Sequence, residues 1–116
     1  MKILIVDDDQ NILRLYKEEL EEEGYTVVTA SNGQEAMDRF EKEVPDLVTL
    51  DILLPDVDGI KLLRQMKEKR PRMPVIMSTA YDYRDDFAVW ASEAYIVKSA
   101  DLTELKSTIK KLIERE

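Results

Sequence analysis

Ile3-Leu4-Ile5-Val6-Asp7-Asp8-Asp9 is an aliphatic run without alternation, halted by three consecutive carboxylates. A short apolar run bounded so sharply reads as a strand buried on both faces, the kind found in a parallel sheet covered by helices. Beyond it the period changes. Ile12, Leu13, Tyr16 and Leu20 recur at helical spacing, Glu18, Glu19 and Glu21 to Glu23 take other faces, and Gly24 ends the helix. Tyr25 to Thr29 is β-branched and strand-like. Ser31-Asn32-Gly33-Gln34 reads as a capping box that opens a helix through Ala36, Met37 and Phe40. Pro45-Asp46 breaks that helix, and Leu47-Val48-Thr49-Leu50 is another apolar run, stopped by Asp51.

The second half repeats this logic. Pro55-Asp56-Val57-Asp58-Gly59 is a turn, with Asp58 as N-cap of a helix that uses Ile60, Leu63 and Met66. Pro71 and Pro74 bracket the next turn, and Val75-Ile76-Met77 is a strand ending at Ser78-Thr79. A short helix is predicted over Asp85 to Ala91, and Ala94 to Val97 is the last strand, ending at Lys98. Asp101-Leu102-Thr103-Glu104 resembles a second capping box, followed by a closing helix marked by Leu102, Leu105, Ile109 and Leu112. Five strands alternating with five helices predict an α/β fold, a doubly wound (βα)5 three-layer sandwich around a five-stranded parallel sheet.

Composition narrows the chemistry. A chain of 116 residues fits one domain, expected to span residues 1–116. With no cysteine and no histidine, disulfides, zinc–thiolate sites, Ser-His-Asp catalysis and a phosphohistidine-donor role are all excluded. Seventeen Lys and Arg against 25 Asp and Glu leave a net charge of −8, so direct binding to nucleic acid or to an anionic membrane is not expected. No apolar stretch approaches a membrane span and no signal peptide precedes the first strand, which predicts a cytoplasmic protein.

In a parallel sheet the carboxyl ends of all strands share one rim, and ligands bind there. The first strand delivers Asp7 and Asp8 to that rim, the third Asp51, the fourth Ser78 and Thr79, the fifth Lys98, and the second only Thr29-Ala30-Ser31. Two carboxylates a few ångströms apart repel by about 4 kcal/mol at an effective dielectric near 20. A bound cation relieves that repulsion. An all-oxygen donor set without His or Cys suits Mg²⁺, which uses a few carboxylates plus a phosphate.

Taken together, Ile3-Leu4-Ile5-Val6-Asp7-Asp8, Leu50-Asp51 with Pro55-Asp56-x-Asp58-Gly59, Ser78-Thr79-Ala80 and Tyr95-Ile96-Val97-Lys98 resemble the receiver domain of two-component response regulators. The likeness covers essentially the whole chain. It implies the strand order 2-1-3-4-5 and a module that accepts a phosphoryl group on Asp51 from a sensor histidine kinase or a histidine phosphotransfer protein. By the same resemblance Asp8, Asp51 and the backbone carbonyl of Leu53 ligate Mg²⁺, with Asp7 acting largely through metal-bound water and Mn²⁺ as a substitute. Lys98 pairs with a phosphoryl oxygen, Thr79 gives its hydroxyl to another, and Tyr95 swings inward behind it. The domain would catalyse only its own phosphorylation and the hydrolysis of its acyl phosphate. Its output would go to a protein partner or a homodimer through the face made by the fourth helix, fifth strand and fifth helix.

Two departures fall on that output face. The family's usual proline after the lysine is Ser99 here, where a cis bond would cost about 3–4 kcal/mol against about 0.5–1 for proline. The interval from Thr79 to Lys98 is also about three residues shorter than the family's, which trims the fourth helix or its exit.

Asp9 is the N-cap of the first helix. The acidic run Glu18 to Glu23 and Lys106, Lys110 and Lys111 are solvated faces, whereas Tyr81, Tyr83, Phe87 and Trp90 are core by default and a partner patch otherwise. Asp7-x-Asp9-x-Asn11 with Glu18 mimics a calcium loop, yet Ile12 stands where that loop needs glycine. An apolar strand followed by Asp7-x-Asp9 also resembles a haloacid-dehalogenase-type phosphatase, although the chain leaves no room for a cap domain. A receiver-like binding module that works without phosphate is the remaining alternative.

Overall fold

A computed structural model describes residues 1–79, 92, 94–98 and 102–114. Its elements in chain order are β1 (Lys2–Val6), α1 (Gln10–Glu22), β2 (Thr26–Ala30), α2 (Gly33–Glu43), β3 (Leu47–Leu50), α3 (Gly59–Lys69), β4 (Val75–Thr79), β5 (Ala94–Val97) and α4 (Thr103–Glu114). The strands form one parallel sheet in the order β2-β1-β3-β4-β5, as expected. The helix predicted over 85–91 and the cap predicted at Asp101 lie outside the described residues.

The unbroken run in β1 has a simple cause. Leu4 and Val6 point to one side, where Ala36 and Phe40 of α2 and Leu62, Leu63 and Met66 of α3 cover them. Ile3 and Ile5 point to the other, under Leu13, Tyr16 and Leu20 of α1 and Leu105, Ile109 and Leu112 of α4. Both faces are dry, so alternation disappears. Each such aliphatic side chain contributes about 1.5–3 kcal/mol on burial.

Local signals differ from expectation in two places. The α2 cap is Asn32, whose Oδ1 accepts from the Glu35 amide at 2.8 Å, rather than Ser31. Glu35, not Gln34, returns the bond: its Oε1 accepts from the Ser31 amide at 2.8 Å and the Ser31 hydroxyl at 2.7 Å. The box is therefore displaced by one residue, because the short Asn32 amide satisfies the first turn and leaves Ser31 to the carboxylate. The strand predicted from Tyr25 begins at Thr26. The Tyr25 amide is still tied to the Leu20 carbonyl at 3.3 Å, closing α1 through Gly24 at φ +95°. The caps read at Asp9 and Asp58 are present, accepting from Asn11 N at 2.9 Å and Ile60 N at 2.8 Å.

Candidate functional site

Parallel pairing brings three of the expected carboxylates to one rim. The Asp7 amide donates to the Ala30 carbonyl at 3.1 Å, and the Asp51 amide donates to the Val6 carbonyl at 3.1 Å. Each acid therefore leaves its strand on the last rung of the ladder. Asp7 and Asp51 are almost fully buried, at 2% and 4% exposure, while Asp8 faces solvent. One oxygen from each of Asp7, Asp8 and Asp51 lies within 4.8 Å of the others.

Lys98, one residue past β5, reaches across to both buried acids. Its Nζ donates to Asp51 Oδ2 at 2.8 Å and forms an ion pair with Asp7 Oδ2. The remaining oxygens are also held: Asp7 Oδ1 accepts from the Asp9 amide at 2.9 Å, and Asp51 Oδ1 from the Leu53 amide at 3.2 Å. Burial pushes the Asp7 carboxyl above its usual range even though Lys98 and the Asp9 amide pull it down. Burial alone would pull the Lys98 ammonium down, but hydrogen bonds to Asp51 and Asp7 carry it above its usual value. Three carboxylates and one ammonium leave a net charge of −2 in the cluster. Hard oxygen donors around unbalanced negative charge, with one acid open to water, fit a small divalent cation.

The other predicted residues are less fully described. Thr79 ends β4 and pairs in register with Val97, but its side chain lies outside the description. Tyr95 pairs with Met77 and packs, half-buried, against the core cluster that contains Leu4 and Val6. Ser78 is buried at 3% exposure beside Tyr16, and its hydroxyl has no geometric hydrogen-bond partner among the described residues. The Lys98–Ser99 bond and the aromatic cluster of Tyr81, Tyr83, Phe87 and Trp90 lie outside the described residues.

The loop from Asp51 to Gly59 holds contacts that the sequence reading passed over. The Gly59 amide donates to the Ile52 carbonyl at 2.7 Å, and Leu53 forms an antiparallel bridge to Asp58. Asp56, read only as a turn residue, reaches the amino end of α2, accepting from Gly33 N at 2.7 Å and Gln34 N at 3.0 Å. No local spacing announces a partner 23 residues away.

The fold and this cluster together define a doubly wound α/β module with an acidic rim suited to a cation, and comparison with known proteins gives its family. The chain belongs to the response regulator receiver domain family, whose profile matches residues 3–110. It is 37% identical to the alkaline phosphatase synthesis transcriptional regulatory protein PhoP of Bacillus subtilis, over 98% of this chain and 49% of that protein. It is 38% identical to sporulation initiation phosphotransferase F of the same organism, over 97% of this chain and 93% of that protein. Among solved structures, the response regulator TrrA of Thermotoga maritima in complex with Mg²⁺-BeF matches with a TM-score of 0.92 and 46% identity, covering 96% of this chain and 97% of that one. The same regulator bound to the histidine kinase ThkA matches with a TM-score of 0.91 and 45% identity, covering 97% of each chain. The chain thus spans about half the length of PhoP and nearly all of the phosphotransferase. It is a receiver domain of the two-component class, which displaces the phosphatase alternative. Among the described residues no helix is long and apolar enough to cross a membrane.

Proposed function

We propose that residues 1–116 act as one phosphoacceptor module in which Asp51 takes a phosphoryl group from a phosphohistidine on a sensor kinase or phosphotransfer protein. One observation carries this reading: Asp51 has Oδ2 at 2.8 Å from the Lys98 ammonium and a carboxylate oxygen within 4.8 Å of oxygens from Asp7 and Asp8. In the transfer, an Asp51 carboxylate oxygen bonds to phosphorus as the P–N bond to imidazole breaks, leaving an acyl phosphate. Asp7, Asp8, Asp51 and the Leu53 carbonyl would hold Mg²⁺, with Mn²⁺ able to replace it. The cation supplies charge neutralisation at the phosphoryl oxygens. Lys98 gives its proton-rich head to one phosphoryl oxygen, exchanging its present Asp51 contact for the product's. The Thr79 hydroxyl donates to another oxygen, and Tyr95 leaves its half-buried position to follow it. This is a population shift, because the new group rewards only the arrangement that contacts it.

The domain's catalysis is limited to its own phosphorylation and acyl-phosphate hydrolysis. Its output surface is the face that includes β5 and α4, offered to a protein partner or a second copy. The net charge of −8 argues against direct contact with nucleic acid by this module, and a chain without cysteine suits a reducing, cytoplasmic location. Intact-mass analysis after acetyl phosphate and Mg²⁺ tests the proposal. One labile phosphoryl adduct is expected on the wild type and none on Asp51→Asn; an equal adduct on the variant removes Asp51 from this role, and no adduct on either favours a phosphate-independent binding module.

A further inference from the structure

The loop between Asp51 and Gly59 is closed on itself at its base, by Gly59 N to Ile52 O at 2.7 Å and the Leu53–Asp58 bridge. Its outer part is held from elsewhere. Asp56 presents one oxygen to the Gly33 amide at 2.7 Å and the other to the Gln34 amide at 3.0 Å. These amides belong to the first turn of α2, where no helical carbonyl is available to accept them. Asn32 already caps that turn through the Glu35 amide, so Asp56 adds a second, non-local cap. The positive end of the helix dipole favours its charge, and the Gly33 amide holds its carboxyl below the usual carboxylate range. The next residue locks the contact by shape: a β-carbon on Gly33 would stand 2.1 Å from Val57 Cγ1. Polar clasp and apolar fit therefore act at the same place.

We propose that Asp56 is a positioning residue for the divalent cation: by clasping the amino end of α2 it fixes the loop that carries Leu53 beside Asp51, and so raises the affinity of the site. The proposal rests on the reading that Asp51 and the Leu53 carbonyl share that cation. Leu53 lies between Asp51, which accepts its amide at 3.2 Å, and the clasp at Asp56. With the clasp released, the exposed loop keeps its base contacts and the Val57 packing on Gly33 but loses its polar tie to α2, and the Leu53 carbonyl is held less firmly beside the carboxylates.

Calorimetric titration with Mg²⁺ alone separates this role from simple helix capping. Asp56→Ala should weaken Mg²⁺ binding by at least about three-fold, less than the about 10–100-fold seen when a partner touching a metal ligand is lost. Asp56→Asn, which keeps one oxygen acceptor, should fall between Asp56→Ala and the wild type. Acetyl-phosphate labelling should need proportionally more Mg²⁺ in these variants yet reach the same rate at saturation. Asn32→Ala removes the other cap of α2 and should lower the thermal midpoint while leaving Mg²⁺ affinity unchanged. Wild-type affinity in Asp56→Ala, or an equal loss in Asn32→Ala, overturns the positioning role. A wild type that binds no Mg²⁺ overturns instead the cation reading on which it rests.

Discussion

Gly59 packs against the backbone of Asp51 so closely that a β-carbon on it would stand 2.1 Å from the Asp51 carbonyl oxygen and 2.6 Å from the Ile52 α-carbon. These neighbours are main-chain atoms at the end of a buried strand, and they cannot rotate away. Gly59→Ala should therefore destabilise the domain by about 3 kcal/mol, at the upper end of overpacking costs. Urea unfolding followed by circular dichroism measures it, and an unchanged midpoint would contradict the approach.

The two buried acids and their lysine predict mutations of opposite sign in the metal-free protein at pH 7. Lys98→Met strands Asp7 and Asp51 without their cation and should cost about 2 kcal/mol, less than a fully buried pair because the rim is open at Asp8. Asp7→Asn should raise the unfolding midpoint, since burial disfavours the charged carboxylate there and the amide keeps an acceptor for Asp9 N. Thermal melts in a chelator check both.

Val44, the residue after α2, sits at φ 46° and is 58% exposed. A β-branched residue in the left-handed region is strained, and its side chain offers little packing to lose. Val44→Gly should raise stability by about 1 kcal/mol, the strain relieved less the extra freedom glycine has when unfolded. A lower urea midpoint would refute this.

Glu35 gives the pH test. Hydrogen bonds from the Ser31 amide and hydroxyl hold its carboxyl below the ordinary range of 4.5. A depressed acid stabilises the fold above its unfolded pKa and loses that contribution as pH falls through the folded one. Glu35→Gln should melt below the wild type at pH 7, and the gap should close in acid, once the pH has fallen through the lowered folded value. A gap that persists there would point to lost packing instead.

Divalent cation should stabilise the folded state by mass action. At Mg²⁺ a hundred times its dissociation constant the gain is about 2.7 kcal/mol. Asp8→Ala, which removes the solvent-facing carboxylate of the cluster and leaves the buried pair with Lys98 intact, should abolish most of that gain. Melts in Mg²⁺ and in chelator give both numbers directly.

Much of this protein is legible along the chain because burial leaves local traces. Ile3 to Val6 lose alternation since both sides are covered, and the acids that stop each run mark the rim where cover ends. That is why Asp7, Asp8, Asp51 and Lys98 could be named from spacing, and their meeting at one cluster follows from parallel pairing. Local patterns tell less where two options are chemically equivalent: Ser31 and Asn32 can both cap α2, and only the path of the chain into the helix selects Asn32. They tell nothing where the partner is remote. Asp56 has no neighbour in sequence that explains it, and Gly59 reads as a turn former until the Asp51 backbone is seen against it. Strand order is likewise invisible in periodicity, since every strand of a covered parallel sheet carries the same apolar signature. Periodicity records whether a side chain is buried; which distant group buries or binds it depends on how the layers close, and that is a property of the folded whole.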